Sequence, residues 1–220
     1  MQNLNNVQVL LGYTAGMPNT AATKTTRTRT DSRGIARRRK IFRSLHDCVL
    51  AQGYVRTTLA DIARGAGMRP SHLLYYFKGK EDILEQYFLL VSDRFTERLA
   101  GFEIESHEVQ IALLVDFWFR GETSTREEIG FMLECFGAAV HDEELRKTKT
   151  AFDRYCKAHL VRLFEGGPVP ASSADAARVQ AELSYAMMIG LRSAVYFDDQ
   201  IKLEDAHRLF RDALRQACGY

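Results

Sequence analysis

An all-α fold is what this sequence predicts, and three observations carry the prediction. Apolar residues recur at helical spacing along most of the chain past residue 32. Only 4 prolines occur, and Asn-Gly and Asp-Gly turns are scarce, which argues against a turn-dense β-sandwich. A hydrophobic fraction of 46% over 220 residues is enough to bury a substantial core, in one large domain or two smaller ones.

Residues 1–31, rich in Asn, Thr, Gly and Ala without sustained periodicity, read as a disordered extension. Within it TKTTRTRT, residues 23–30, is a basic arm or a solvated tail. From Ser32 helical period takes over: Ile35, Ile41, Leu45, Cys48 and Val49 form an apolar stripe opposite Arg37, Arg38, Arg39 and Lys40. Gly53 is placed to end that helix in a left-handed conformation. Thr58 is the expected N-cap of a short helix to Gly65, with Asp61 as the acidic half of a capping box. Ala66-Gly67-Met68 is a turn, and Pro70 opens a further short helix to about Phe77, where its missing N–H costs nothing. Longer helices follow at about 80–102, 106–121, 125–140, 142–165, 173–198 and 203–217, with Gly166-Gly167-Pro168 the clearest break.

Charge divides the chain as well. Residues 1–80 hold 14 Lys and Arg against 3 Asp and Glu, and residues 81–220 hold 16 against 25, so a net +11 is joined to a net −9. That polarity suggests a polyanion-binding module at the start, with a solvated basic tail as the alternative. No apolar run approaches the roughly 20 residues needed to span a bilayer, and the opening MQNLNNVQVLLG lacks the basic start of a secretory signal. Cys48, Cys135, Cys156 and Cys218 lie far apart with no CxxC pair, the pattern of reduced cytoplasmic thiols rather than of disulfides or a zinc site. No metal and no cofactor is expected. Enzyme chemistry has little support: His46-Asp47-Cys48 and His141-Asp142-Glu143-Glu144 point in different directions around a helix, and no GxSxG, HExxH or phosphate loop occurs. The acids at 142–144 suit the positive end of a helix dipole.

Short helix, glycine turn and short helix make a helix-turn-helix, whose second helix enters the major groove. Gly53, Thr57-Thr58, Ile62-Ala63, Ala66-Gly67, Leu73, Tyr76-Phe77 and Lys80-Glu81 together resemble the DNA-binding domain of the TetR family of bacterial regulators over residues 35–85. The resemblance implies a three-helix DNA-binding domain at 32–80 and a helical effector-binding and dimerisation domain at 81–220. It implies further that Thr58, Tyr76 and Lys80 contact the DNA backbone, while Arg69, Pro70, Ser71, His72 and Tyr75 face the base edges. A tyrosine hydroxyl at the end of the recognition helix can donate to a phosphate oxygen. The sequence departs from the family pattern at Arg69, where a capping Ser or Thr is frequent, at Ser71 and at Leu74.

The second domain is less specific. IALLVDFWF, residues 111–119, is apolar on nearly every side, as a helix wrapped by others requires. Tyr87, Phe117, Trp118, Phe136 and Met187 are bulky groups suited to an apolar or aromatic effector, or to plain core packing. Asp116 within that run reads either as an ion pair with Arg120, four residues on, or as a ligand-binding acid. Helices 173–198 and 203–217 are expected to form a four-helix homodimer interface, with Ala177, Ala181 and Ser184 allowing close approach and Leu203, Ala206, Leu209, Phe210, Ala213 and Ala217 as a stripe. The expected function is a cytoplasmic, ligand-responsive repressor released from a palindromic operator by a small effector; the alternative is a metal- or redox-sensing regulator of the same fold.

Overall fold

The computed structural model describes residues 29–121 and 124–220, with side chains from Gly34 onward in the first helix. Among the described residues all regular structure is helical: α1 (Arg29–Gln52), α2 (Leu59–Gly65), α3 (Pro70–Leu73), α4 (Lys80–Phe102), α5 (His107–Phe119), α6 (Arg126–His141), α7 (Glu143–Glu165), α8 (Ala174–Phe197) and α9 (Leu203–Ala217). The expected disordered extension lies outside the described residues up to position 28. Its last residues open α1, which begins three positions before the expected Ser32.

Two compact units divide the chain, one ending at Tyr87 and the other running Phe88–Tyr220. The division falls inside α4, seven residues past the expected boundary at position 80. In the first unit Ile41, Leu45 and Val49 are buried on α1, joined by Phe42, which packs edge-on against Phe77 at 5.5 Å. Ile35 is exposed because position 35 lies about 120° around the helix from position 41, and Cys48 is partly buried. Gly53 at φ 80° and Gly67 at φ 67° occupy the left-handed region that the ends of α1 and α2 require.

The second unit is built around α5. Ile111, Leu114, Val115, Phe117, Trp118 and Phe119 are all buried, so the helix shows almost no polar face except at its ends and at Asp116. Helix α9 packs on α5 and α8, with Phe210 5.4 Å from Phe119, and α8 packs on α7 and α6. Helix α7 starts where the acids were expected to cap it: Asp142 accepts from the Leu145 N–H at 2.9 Å, and Glu143 and Glu144 occupy the first turn.

A candidate DNA-binding face and a candidate effector core

Thr58 and Asp61 form the expected capping box on α2. The Thr58 hydroxyl accepts from the Asp61 N–H at 3.2 Å, and the Asp61 carboxylate accepts from the Thr58 N–H at 3.1 Å. The Thr58 hydroxyl also donates to the Asp61 carboxylate at 2.6 Å, and this bond first, with the one from the Thr58 N–H, holds the Asp61 carboxyl below its ordinary value. The glycine turn then leads into α3. This helix is shorter than expected: it ends at Leu73, and the chain to Phe77 continues as a tight turn in which the Tyr76 N–H donates to the Leu73 carbonyl at 2.9 Å. Pro70 sits at the first position as expected, and Arg69 caps the helix without a side-chain hydrogen bond.

The consequence is a compact, solvent-facing knob. Leu73 and Phe77 anchor it inward, while Arg69, Pro70, Ser71, His72 and Leu74 are exposed and Tyr75 is 85% exposed. Tyr76 is half-buried, with its ring 5.2 Å from that of Tyr75. Lys80 is partly buried and already engaged: its amine donates to the Tyr54 carbonyl at 3.0 Å and lies 4.3 Å from the Tyr54 ring centroid. Two of its three N–H groups remain for another acceptor. Beside the knob runs a groove of about 600 Å³ lined by Arg37, Lys40, Arg64, Ala66, Gly67, Met68, Arg69, His72 and Tyr76. Arg37, Lys40 and Arg64 were not expected at this site. The run of cations on the polar side of α1 was the available signal for the first two.

In the second unit an aromatic cluster surrounds Phe117, whose ring lies 4.9 Å from Phe95, 4.9 Å from Trp118 and 6.0 Å from Phe102. Phe152 closes the group, 5.9 Å from Phe95. Next to Phe152 in the chain stands a partly buried polar trio: Lys149 pairs with Asp153 at 2.6 Å, and the Tyr185 hydroxyl donates to the other oxygen of Asp153 at 2.6 Å. The Lys149 amine also lies 4.3 Å from the Phe136 ring centroid. Arg192 is buried against the same cluster, donating to the Trp118 carbonyl with its guanidinium 5.8 Å from the indole; burial pulls its pKa down to about 10.

Tyr87 and Met187 are placed differently from expected, whereas Asp116 makes the expected ion pair with Arg120. Tyr87 packs in the core of the first unit, 5.7 Å from Phe42. Met187 points outward at 42% exposure, and its neighbour Met188 is the buried one, a difference of one position in helical phase. Asp116 is not buried in the apolar run: its side chain is half-exposed and its Oδ1 accepts from Arg120 at 3.3 Å and from His207 Nε2 at 2.7 Å. The Arg120 pair was one of the two sequence readings; His207, 91 positions away, carried no sequence signal.

The proposed close-approach residues of α8 also change role. Ala177, Ala181 and Ser184 are buried within the unit, as are Ala206 and Phe210 of α9. The outward stripe of α8 is Val179, Leu183 and Met187 instead, with Leu209 exposed on α9.

Comparison with known proteins decides the affiliation. Residues 46–87 match the family described as bacterial regulatory proteins, tetR family, and residues 108–219 match the C-terminal domain of BetI-type transcriptional repressors. The chain belongs to the TetR family. It is a DNA-binding transcriptional regulator, not an enzyme. Among curated TetR-type relatives, the HTH-type transcriptional regulator BetI 2 of Chromohalobacter salexigens is 26% identical over 146 residues, spanning 64% of this chain and 70% of that protein. Solved structures share the fold. A TetR transcription regulator from Haloarcula marismortui superposes with a TM-score of 0.72 at 18% identity, over 84% of this chain and 97% of that one. A transcriptional regulator from Saccharomonospora viridis in complex with choline gives 0.69 at 18%, over 80% and 93%.

The four cysteines are free thiols, and burial pushes Cys135 and Cys156 well above the ordinary value and Cys218 up to about 11. Thiols so disfavoured as thiolates are poor metal ligands and slow to oxidise. Among the described residues no group of three or more His, Cys, Asp or Glu is placed to hold a metal ion, and no helix is long and apolar enough to cross a membrane.

Proposed function

We propose that this TetR-family regulator is a homodimeric repressor that binds a palindromic DNA operator and is released from it by a small molecule with an apolar or aromatic body. The observation that carries the DNA half is the knob and groove of the first unit: Arg37, Lys40, Arg64, Arg69 and His72 line one concavity beside the exposed Tyr75. Thr58, Tyr76 and Lys80 contact the backbone on this reading, and Arg69, Pro70, Ser71, His72 and Tyr75 meet base edges.

For the effector, support comes from the aromatic cluster of Phe117, Trp118 and Phe152, and from the Lys149, Asp153 and Tyr185 trio that adjoins Phe152 in the chain, with Phe136 against the Lys149 amine. Such a wall takes up an apolar body and presents a few polar groups to fix its orientation. It also suits a small organic cation through its ring faces, and the choline-bound Saccharomonospora regulator supports that narrower form. The dimer is supported by the apolar stripe of Val179, Leu183 and Met187 on α8, a contiguous exposed patch of the kind that marks protein contact.

Titration of a small-molecule panel that includes choline, followed by Trp118 fluorescence, tests the effector half. A compound that releases DNA should change Trp118 emission, and saturating DNA should weaken its binding by the same factor by which it weakens DNA binding. Release of DNA with emission unchanged would place the effector elsewhere.

A further inference from the structure

Arg37 and Tyr76 stand on either side of the groove in the first unit, 39 positions apart in the chain, and the Arg37 Nη1 donates to the Tyr76 hydroxyl at 3.1 Å. A guanidinium has only donors, so the tyrosine oxygen must accept. The hydroxyl proton is thereby turned away from Arg37 and remains available to donate to a further acceptor. The groove that borders this pair holds four cationic side chains, those of Arg37, Lys40, Arg64 and Arg69, and none of its nine lining residues is acidic. Asp61, paired with Arg64 at 3.2 Å, offsets one of the four charges. Like charges gathered around a solvent-filled concavity repel, and an anion seated among them relieves that repulsion.

We propose that Arg37 is the positioning residue of Tyr76 and that the two, with Lys40 one turn along α1 from Arg37, seat one phosphodiester of the DNA backbone. The inference rests on the DNA-binding reading of this unit and adds to it a contact made from α1 rather than from the recognition helix. A groove of about 600 Å³ exceeds the space of a single phosphate, so it accommodates the sugars on either side as well. Arg37 supplies charge and holds the hydroxyl; Tyr76 supplies a neutral, directed O–H donor. The contact carries no sequence information and acts alike on every duplex.

The experiment uses the full chain and a mixed-sequence duplex of about three helical turns, with affinity measured across a range of salt. Arg37→Ala should weaken binding about tenfold and lower the slope of log affinity against log salt by about 1. Tyr76→Phe should weaken binding with the slope unchanged, and its effect should vanish in the Arg37→Ala background, because the hydroxyl is then no longer held. Arg37→Lys should restore the slope but not the coupling to Tyr76, since an ammonium lacks the planar fork. Losses that simply add, or an unchanged slope in Arg37→Ala, overturn the proposal while leaving the DNA-binding reading intact. A wild-type chain with no salt-dependent duplex binding removes both. Saturable binding of inorganic pyrophosphate below millimolar concentration, lost in Arg37→Ala, would make the groove a free-anion site and contradict the backbone seat. Thermal unfolding of each variant, compared with the wild type, separates these effects from misfolding; Arg37 is exposed and its replacement leaves the core untouched.

Discussion

His159 of α7 is buried, with Nδ1 3.2 Å from the Glu103 carboxylate and, among the described residues, no hydrogen-bond partner for Nε2. Burial lowers its pKa from the ordinary 6.5, the nearby carboxylate only partly opposing it. The unfolded chain therefore takes up this proton before the folded one does, and stability falls as pH drops from 6.5 toward the folded value. Glu103, whose carboxyl is held low chiefly by Arg162, keeps its contribution until lower pH and loses it as pH falls from 4.5 through its lower folded value. His159→Gln should thus flatten the decline in unfolding midpoint over the upper, histidine range and leave the lower one in place. An unchanged profile between about pH 7 and 5 would show that another group carries it. At this scale the sequence was legible where a local rule applied: Thr58 with Asp61, Asp142 at a helix start, Pro70 at a first turn. It was not legible where partners are distant in the chain, as with His207 and Asp116, or where one position of helical phase decides, as with Met187 and Met188.

Helices α4 and α9 match their expected bounds, and α5 to α8 match within two residues, because long apolar periodicity fixes such elements strongly. The recognition helix was overestimated, since a single turn closed by a 3₁₀-type bond has no periodicity to read. The faces of α8 were not legible either: its small residues and its large apolar residues form separate stripes, and only packing shows that the small ones go inward. The outward stripe now makes a definite prediction for the dimer. Leu183, 60% exposed, and Val179, 58% exposed, lie one turn apart. Leu183→Glu should leave the fold intact and convert dimers to monomers at micromolar concentration in sedimentation analysis, weakening operator binding with it. Dimers of unchanged stability would move the interface off this stripe.

At the scale of the whole molecule, a basic stretch of net +11 and an acidic remainder of net −9 correspond closely to the two compact units, and α4 contributes residues to both. Composition was enough to separate a polyanion-binding part from the rest, and the family match agrees with that division. The candidate effector core was legible only as a set of bulky residues, because a buried aromatic looks the same in sequence whether it packs or binds. On the proposed function, the first unit reads DNA as one half of a symmetric pair. Selection from a random-sequence duplex library with the full chain, followed by footprinting of the enriched sites, tests it most directly. The predicted result is a roughly palindromic site, its half-site centres about 34–36 Å apart or slightly more, bound with affinity that falls steeply with salt. Enrichment of no sequence, or of sites without two-fold symmetry, would contradict it.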